Sequence, residues 1–272
     1  MLGGLSPQRR ALVIGVLLAV AAGAIFVIAW AGGRLAGRRL PAAAPPQDRP
    51  GPVLLVPGYG GGTGGLRVLA GRIRAAGGRA TVVELPGDGT GDLRQQARSL
   101  DRAVSGALRA GAPSVDVIGY SAGGVTARLW AHDYDGTRKA RRIITLGSPH
   151  HGAEIATAGE ALAPGICPPA CQELVPGSAL LSALGDRAPA RPAMMSIWST
   201  GDETVTPPAS ARLAGAVDVP LQGVCPGART GHGELPTDPL VTGIVLRALG
   251  PGPLRAPVPA DCAALRSGRP AN

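Results

Sequence analysis

Two kinds of apolar pattern divide the chain. Residues 11–30 are 20 consecutive uncharged, mostly apolar positions. Beyond residue 50, short apolar runs alternate with segments whose apolar residues recur every three to four positions. A helix of about 20 residues rises roughly 30 Å, the thickness of a bilayer's hydrocarbon core, so residues 11–30 are expected to span a membrane. Arg9 and Arg10 precede the run, and Arg34, Arg38 and Arg39 follow it. The apolar part of a cleaved leader runs about 7–15 residues, so the longer run favours an uncleaved anchor. Ala42, Ala43 and Ala44 offer a small-residue cleavage site if the leader is removed. Residues 1–35 are therefore read as a signal anchor or signal peptide, and residues 36–51, rich in Ala and Pro, as a semi-rigid linker.

The alternation that follows predicts strands at 52–56, 80–85, 114–118, 142–146, 193–198 and 217–221. Helices are predicted at 66–76, 93–110, 125–134 and 237–249, the second amphipathic with its arginines outward. Residues 147–190 show no clear period. Strands alternating with helices imply an α/β fold, a doubly wound, mostly parallel sheet covered by helices on both faces. One domain over residues 52–250 accommodates this pattern, and residues 251–272 form a Pro-rich tail.

Charge changes this picture little. Six arginines against Asp48 alone give the first 50 residues +5 of the formal +9. With aromatic residues at only 3% and no basic stripe, nucleic acid is not an expected partner. The bias toward Ala, Gly, Pro and Arg, with Lys139 the single lysine, reads as codon usage. Cysteine changes it more: Cys167, Cys171, Cys225 and Cys262 all follow the apolar run, as expected of an exported, oxidised domain. Of three possible pairings, Cys167 with Cys171 and Cys225 with Cys262 is preferred, the second tacking down the tail. Metal binding is not expected, because the first pair is spaced C-x3-C and no histidine pair accompanies it.

The sequence Gly119-Tyr120-Ser121-Ala122-Gly123 lies between a predicted strand and a predicted helix. That order describes a nucleophile elbow, where a serine sits on a tight turn and small neighbours avoid collision. A serine hydroxyl needs a base and an orienting acid. His232, in a loop before the last helix, is the candidate base. Asp202, four residues past the strand 193–198, is the candidate acid, with Glu203 its neighbour and Asp186 and Asp218 less well placed. His132 lies within a helix, on the expected surface. His150 and His151, after strand 142–146, are expected on the substrate side. The oxyanion of a tetrahedral intermediate would meet the backbone N–H of Ala122 and a second N–H from the glycine-rich loop after the first strand, that of Tyr59, with Gly60 the alternative. The same loop admits a rival reading, because Gly60, Gly62 and Gly65 fit a dinucleotide fingerprint with Glu84 about twenty residues on.

From Pro52 to Gly250 the chain resembles the bacterial α/β-hydrolase lipases, in particular the small, lid-poor class 2 triacylglycerol lipases and their exported relatives. The resemblance rests on Val-Pro-Gly-Tyr-Gly-Gly at 56–61, Gly-Tyr-Ser-Ala-Gly-Gly at 119–124, Thr-Leu-Gly-Ser-Pro-His-His-Gly at 145–152, Cys-Gln-Glu-Leu-Val-Pro-Gly-Ser-Ala-Leu-Leu at 171–181, and the loops of Asp202 and His232. Pro57 departs from it, standing where many relatives carry histidine. The resemblance implies hydrolysis of acyl esters or lipids through an acyl-enzyme on Ser121, without a cofactor, by a monomer. An acyltransferase or thioesterase would use the same triad, and a non-catalytic binding scaffold would keep the fold alone. With the apolar run and the cysteines, the expected location is the cell membrane with an extracytoplasmic catalytic domain, or outside the cell after cleavage.

Overall fold

A computed structural model of the chain describes residues 8, 15–27, 44–162 and 167–267. Two units separate at residue 43. In the first, residues 15–27 form a helix with exposed apolar side chains, among them Leu18, Ile25 and Phe26. Those residues rise about 20 Å, and among the described residues no helix is long and apolar enough to cross a membrane. Positions 11–14 and 28–30 of the expected span lie outside the described residues, as do residues 36–43 of the linker and 268–272 of the tail.

The second unit is built on a parallel sheet of six strands in the order β2-β1-β3-β4-β5-β6: β1 (Val53–Val56), β2 (Ala80–Val82), β3 (Val115–Tyr120), β4 (Ala140–Leu146), β5 (Ala193–Trp198) and β6 (Val217–Pro220). The strands read as apolar runs because both faces are covered. Successive residues point to opposite sides, and the core divides accordingly. Val53, Leu55, Ile118, Ile144, Leu146, Met195 and Ile197 pack on one face with helix α1 (Gly64–Ala75). Leu54, Val56, Val115, Val117, Ile143 and Met194 pack on the other with α2 (Leu93–Arg109) and α3 (Ala122–Asp133).

The stretch that showed no period contains three short helices, α4 (Glu154–Leu162), α5 (Pro169–Glu173) and α6 (Ala179–Leu184). Two helices close the chain, α7 (Pro239–Leu249) and α8 (Cys262–Arg266). The tail is part of the core: Leu265 is buried, and Cys225 is disulfide-bonded to Cys262 with Cα atoms 5.3 Å apart. Cys167 and Cys171 are bonded likewise, at 5.6 Å, so the preferred pairing is the one present.

At the amino-terminal edge of the sheet, two fully buried arginines tie three segments together. Arg141 makes a 2.5 Å ion pair with Asp116 and donates to the carbonyls of Leu249, Gly250 and Gln47. Arg142 donates to the carbonyls of Ala248 and Gly252. The last carbonyls of α7 lack intrahelical donors, so the guanidinium groups satisfy them. Gln47, inside the expected linker, is thereby part of the compact unit, which begins at Ala44. The linker boundary at residue 51 therefore falls inside packed structure.

Candidate active site

The chain runs from β1 outward to β2 and then crosses back to β3, so the loops after β1 and β3 diverge at the carboxyl edge. A parallel sheet forms its ligand crevice at such a point. Ser121 stands there with φ 53° and ψ −127°, a conformation that costs a non-glycine residue roughly 1–3 kcal/mol. Its neighbours must be small. A side chain at Gly119 would strike the backbone of Gly124, and one at Gly123 would strike the carbonyls of Val56 and Pro57.

His232 precedes α7, with its ring Nε2 3.0 Å from Ser121 Oγ and Nδ1 2.7 Å from Asp202 Oδ2. Asp202 follows β5 and is buried. Its other oxygen accepts from the N–H groups of Thr204 at 3.0 Å and Val205 at 2.8 Å, which fixes the carboxylate plane. The three side chains thus form one hydrogen-bonded line.

Residues to which the sequence assigned no such role hold this line in place. Glu203, weighed as a rival acid, accepts from the backbone N–H of His232 at 3.1 Å instead of reaching the ring. The Tyr120 hydroxyl donates to the His232 carbonyl at 3.2 Å, and its ring lies 5.2 Å from the imidazole. Burial, then the carboxylates of Asp202 and Glu203, push the Tyr120 phenol up to about 12, so it stays protonated as a donor. Gly147, at φ +54°, lies against the Asp202–His232 pair: a Cβ there would sit 3.0 Å from Asp202 Oδ2 and 3.2 Å from His232 Nδ1. The sequence signal for Gly147 was its position directly after a strand end; Glu203 and Tyr120 were visible only as neighbours of the triad.

The turn after β1 closes through Gly61 N–H to the Gly58 carbonyl at 3.1 Å, leaving Tyr59 at its corner. A Cβ on Gly58 would approach Ser121 Cβ to 2.9 Å, so this loop passes directly against Ser121. Ala122 opens α3, where a backbone N–H has no intrahelical acceptor. Packing accounts for one of the three glycines behind the dinucleotide reading, Gly65, whereas a Cβ at Gly60 or Gly62 would meet nothing within 4 Å. Gly61, within the pattern, abuts the backbone of Asp88 and Gly89, and Gly65 abuts Pro236 and Thr237 of the His232 loop.

Two expectations are corrected. His150 is buried, bonds through Nε2 to Thr145 Oγ1 at 3.1 Å and does not line the hollow beside Ser121, because the turn Pro149 to Gly152 rotates it into the interior. Burial, with Arg128 and His151 nearby, holds its pKa well below 6.5. His151 points elsewhere, toward Asp186 at 3.6 Å and the Arg212 carbonyl at 2.9 Å. Asp218 accepts from Trp198 Nε1 at 2.8 Å, away from the imidazole.

A hollow of about 270 Å³ opens beside Ser121, bounded by Tyr59, Pro149, Ala156, Leu174 and Val205 among others, with no charged side chain in its lining. Among the described residues no group of three or more His, Cys, Asp or Glu is placed to hold a metal.

No family model and no curated protein sequence matches the chain. Solved structures do. Lipase B of Aspergillus fumigatus is 21% identical with a TM-score of 0.65 over 85% of this chain, which spans only 59% of that lipase. The mature lipase BlEst2 of Bacillus licheniformis is 19% identical with a TM-score of 0.54, covering 65% of this chain and 85% of its own. Phospholipase PlaB of Legionella pneumophila, in complex with thio-NAD, is 17% identical with a TM-score of 0.54, over 79% and 61% of the two chains. At these identities the likeness is one of fold, that of the α/β-hydrolases.

Proposed function

We propose that the chain is a serine hydrolase of carboxylic esters, a lipase or esterase working through an acyl-enzyme on Ser121. The observation that carries this reading is the Ser121–His232–Asp202 line, at 3.0 and 2.7 Å, opening into an apolar hollow. In this mechanism Ser121 Oγ attacks the ester carbonyl while His232 Nε2 takes its proton. Asp202 keeps the proton on Nδ1 and stabilises the imidazolium. The oxyanion accepts from the N–H groups of Ala122 and Tyr59, each such donor being worth roughly 3–4 kcal/mol at the transition state. His232 then protonates the departing alcohol, and water, activated by the same imidazole, releases the acid.

Ser121→Ala tests it: p-nitrophenyl-ester turnover and labelling by a fluorophosphonate are both expected to vanish. Unchanged turnover would sink the proposal. Labelling without turnover of any ester would favour the acyltransferase or thioesterase alternative, and neither would favour a binding scaffold. The dinucleotide reading predicts a thermal shift with saturating NAD, and no shift would close it. We further propose that residues 11–30 anchor the protein in a membrane with the catalytic unit outside the cytosol, or are removed on export. The apolar run and the two disulfides support this. Intact mass of the mature protein distinguishes the two outcomes.

A further inference from the structure

The hollow beside Ser121 is open at its mouth and walled by buried side chains at its base. Ala153, Ala156, Leu174 and Val205, all buried, form its interior, and apart from Ser121 only Thr204 and Tyr59 bring side-chain hydroxyls to the lining. Its lips are apolar as well. Of the large hydrophobic side chains exposed on the catalytic unit, Tyr59, Val68, Ile155 and Val258, two flank this opening, Tyr59 at 46% and Ile155 at 60% exposure. Apolar surface concentrated at the mouth of a charge-free hollow marks a place for an uncharged hydrocarbon group.

The far wall is fixed. Cys171 and Leu174, on and just after α5, face the hollow, and the Cys167–Cys171 disulfide packs against Gly159 of α4, whose Cβ would lie 3.3 Å from Cys171 Sγ. Backbone bonds lock the same wall from three sides: Ala153 N–H to the Leu174 carbonyl at 3.1 Å, Glu154 N–H to Thr206 at 2.9 Å, and Ala170 N–H to Thr90 at 3.1 Å. The Glu173 carboxylate adds a bond from the Leu93 N–H at 2.8 Å. A wall held in this way does not yield to a longer chain, so the volume sets a limit.

At about 30 Å³ per heavy atom, the share a water molecule takes in the liquid, 270 Å³ accommodates about nine heavy atoms. We infer that this hollow is the acyl site, that it takes straight acyl groups up to about eight carbons, and that Ala156 and Leu174 set that limit. The inference rests on the hydrolase reading above and narrows its substrates to esters of short- and medium-chain acids. Each methylene buried contributes about 0.8 kcal/mol, a factor of about four in kcat/KM until the hollow is full. Carbons beyond that remain in water or force the wall.

The experiment is a p-nitrophenyl-ester series from acetyl to palmitoyl with the full chain and two variants. For the unsubstituted protein kcat/KM is expected to peak between butyryl and octanoyl and to fall at least tenfold by palmitoyl. Ala156→Leu places three more carbons in the hollow and is expected to lower the octanoyl-to-acetyl ratio at least tenfold. Leu174→Ala lengthens the hollow and is expected to move the peak to longer chains, which gives an independent reading should the first variant not fold. Turnover that rises steadily to palmitoyl, or variants that scale every ester alike, would overturn the acyl limit while leaving the hydrolase reading intact. No turnover of any ester together with no fluorophosphonate labelling would overturn both.

Discussion

Gly147→Ala is the sharpest single perturbation of the site, because it leaves all three reacting side chains in the sequence. The new methyl would stand 3.0 Å from Asp202 Oδ2 and 3.2 Å from His232 Nδ1, where ordinary contact begins at 3.4 Å. It would also strike Cδ1 of the fully buried Leu235, which must repack to make room. To relieve the other two contacts, the carboxylate and the imidazole must shift by a few tenths of an ångström, just where their 2.7 Å bond sets the tautomer. Misplacing a reacting group by about 1 Å costs roughly 100-fold, and losing the orienting carboxylate altogether costs about 10⁴. The expected loss in kcat is therefore about 10- to 100-fold, with KM within about twofold, since Gly147 does not line the hollow beside Ser121. Alanine in the left-handed region also costs about 1–2 kcal/mol of stability. Gly77→Ala isolates that cost, because Gly77 has φ +87° and nothing within 4 Å of a Cβ. It should lose similar stability with kcat unchanged. Steady-state kinetics on p-nitrophenyl butyrate, with urea unfolding of each variant, measures both quantities. If Gly147→Ala kept kcat within threefold of the parent, Gly147 would not be guarding the Asp202–His232 bond.

Other perturbations reach the same architecture from different sides. Glu203→Ala should reduce kcat/KM about 3- to 10-fold, since the bond it removes from the His232 N–H is solvent-accessible and worth about 0.5–1.5 kcal/mol; Glu203→Gln, which still offers an oxygen, should recover most of it, and an equal loss in both would refute a hydrogen-bonding role. Folded His150 resists protonation while the unfolded chain binds a proton near pH 6.5, so the unfolded state carries the excess proton below that pH. Stability should therefore fall as the pH drops below about 6.5, by up to about 1.4 kcal/mol per unit, and urea midpoints at pH 7 and 5 should show a smaller drop in His150→Gln. Opening the Cys225–Cys262 loop, 37 residues apart, should cost about 4 kcal/mol, against about 2 for Cys167–Cys171 with its separation of 4. Serine pairs compared by thermal unfolding test this ranking, and a larger loss from the shorter loop would reverse it.

The sheet was legible because parallel strands buried on both faces leave uninterrupted apolar runs, and β5 matches its predicted bounds residue for residue. Helix α3 begins three residues earlier than its pattern, directly at Ala122, because Ala122, Gly123 and Gly124 are chosen for close approach to the β1 loop and to Ser148 and so carry no amphipathic signal. The edge strand β2 stops at Val82 although apolar residues continue to Leu85. Ser121, Asp202 and His232 could be found from their places relative to predicted strand ends. Glu203, Tyr120 and Gly147 act on His232 across 29 to 112 residues of chain, and no local pattern records such a contact. His150 and His151 were placed at the right strand end but on the wrong side, since a turn decides which way a side chain points. The acyl wall was illegible for a different reason: α5 and α6 are 5 and 6 residues long, too short to display a helical period.

The arginine clamp at the foot of the sheet also fixes where the chain enters the catalytic unit. Gln47 is held at the start of β4, whereas Ser121 lies beyond the end of β3, about six residues or 20 Å along the strands. Entrance and mouth therefore occupy opposite poles. The polarity of the sheet thus sets the chain's entry into this unit and the hollow beside Ser121 at opposite ends of the strands.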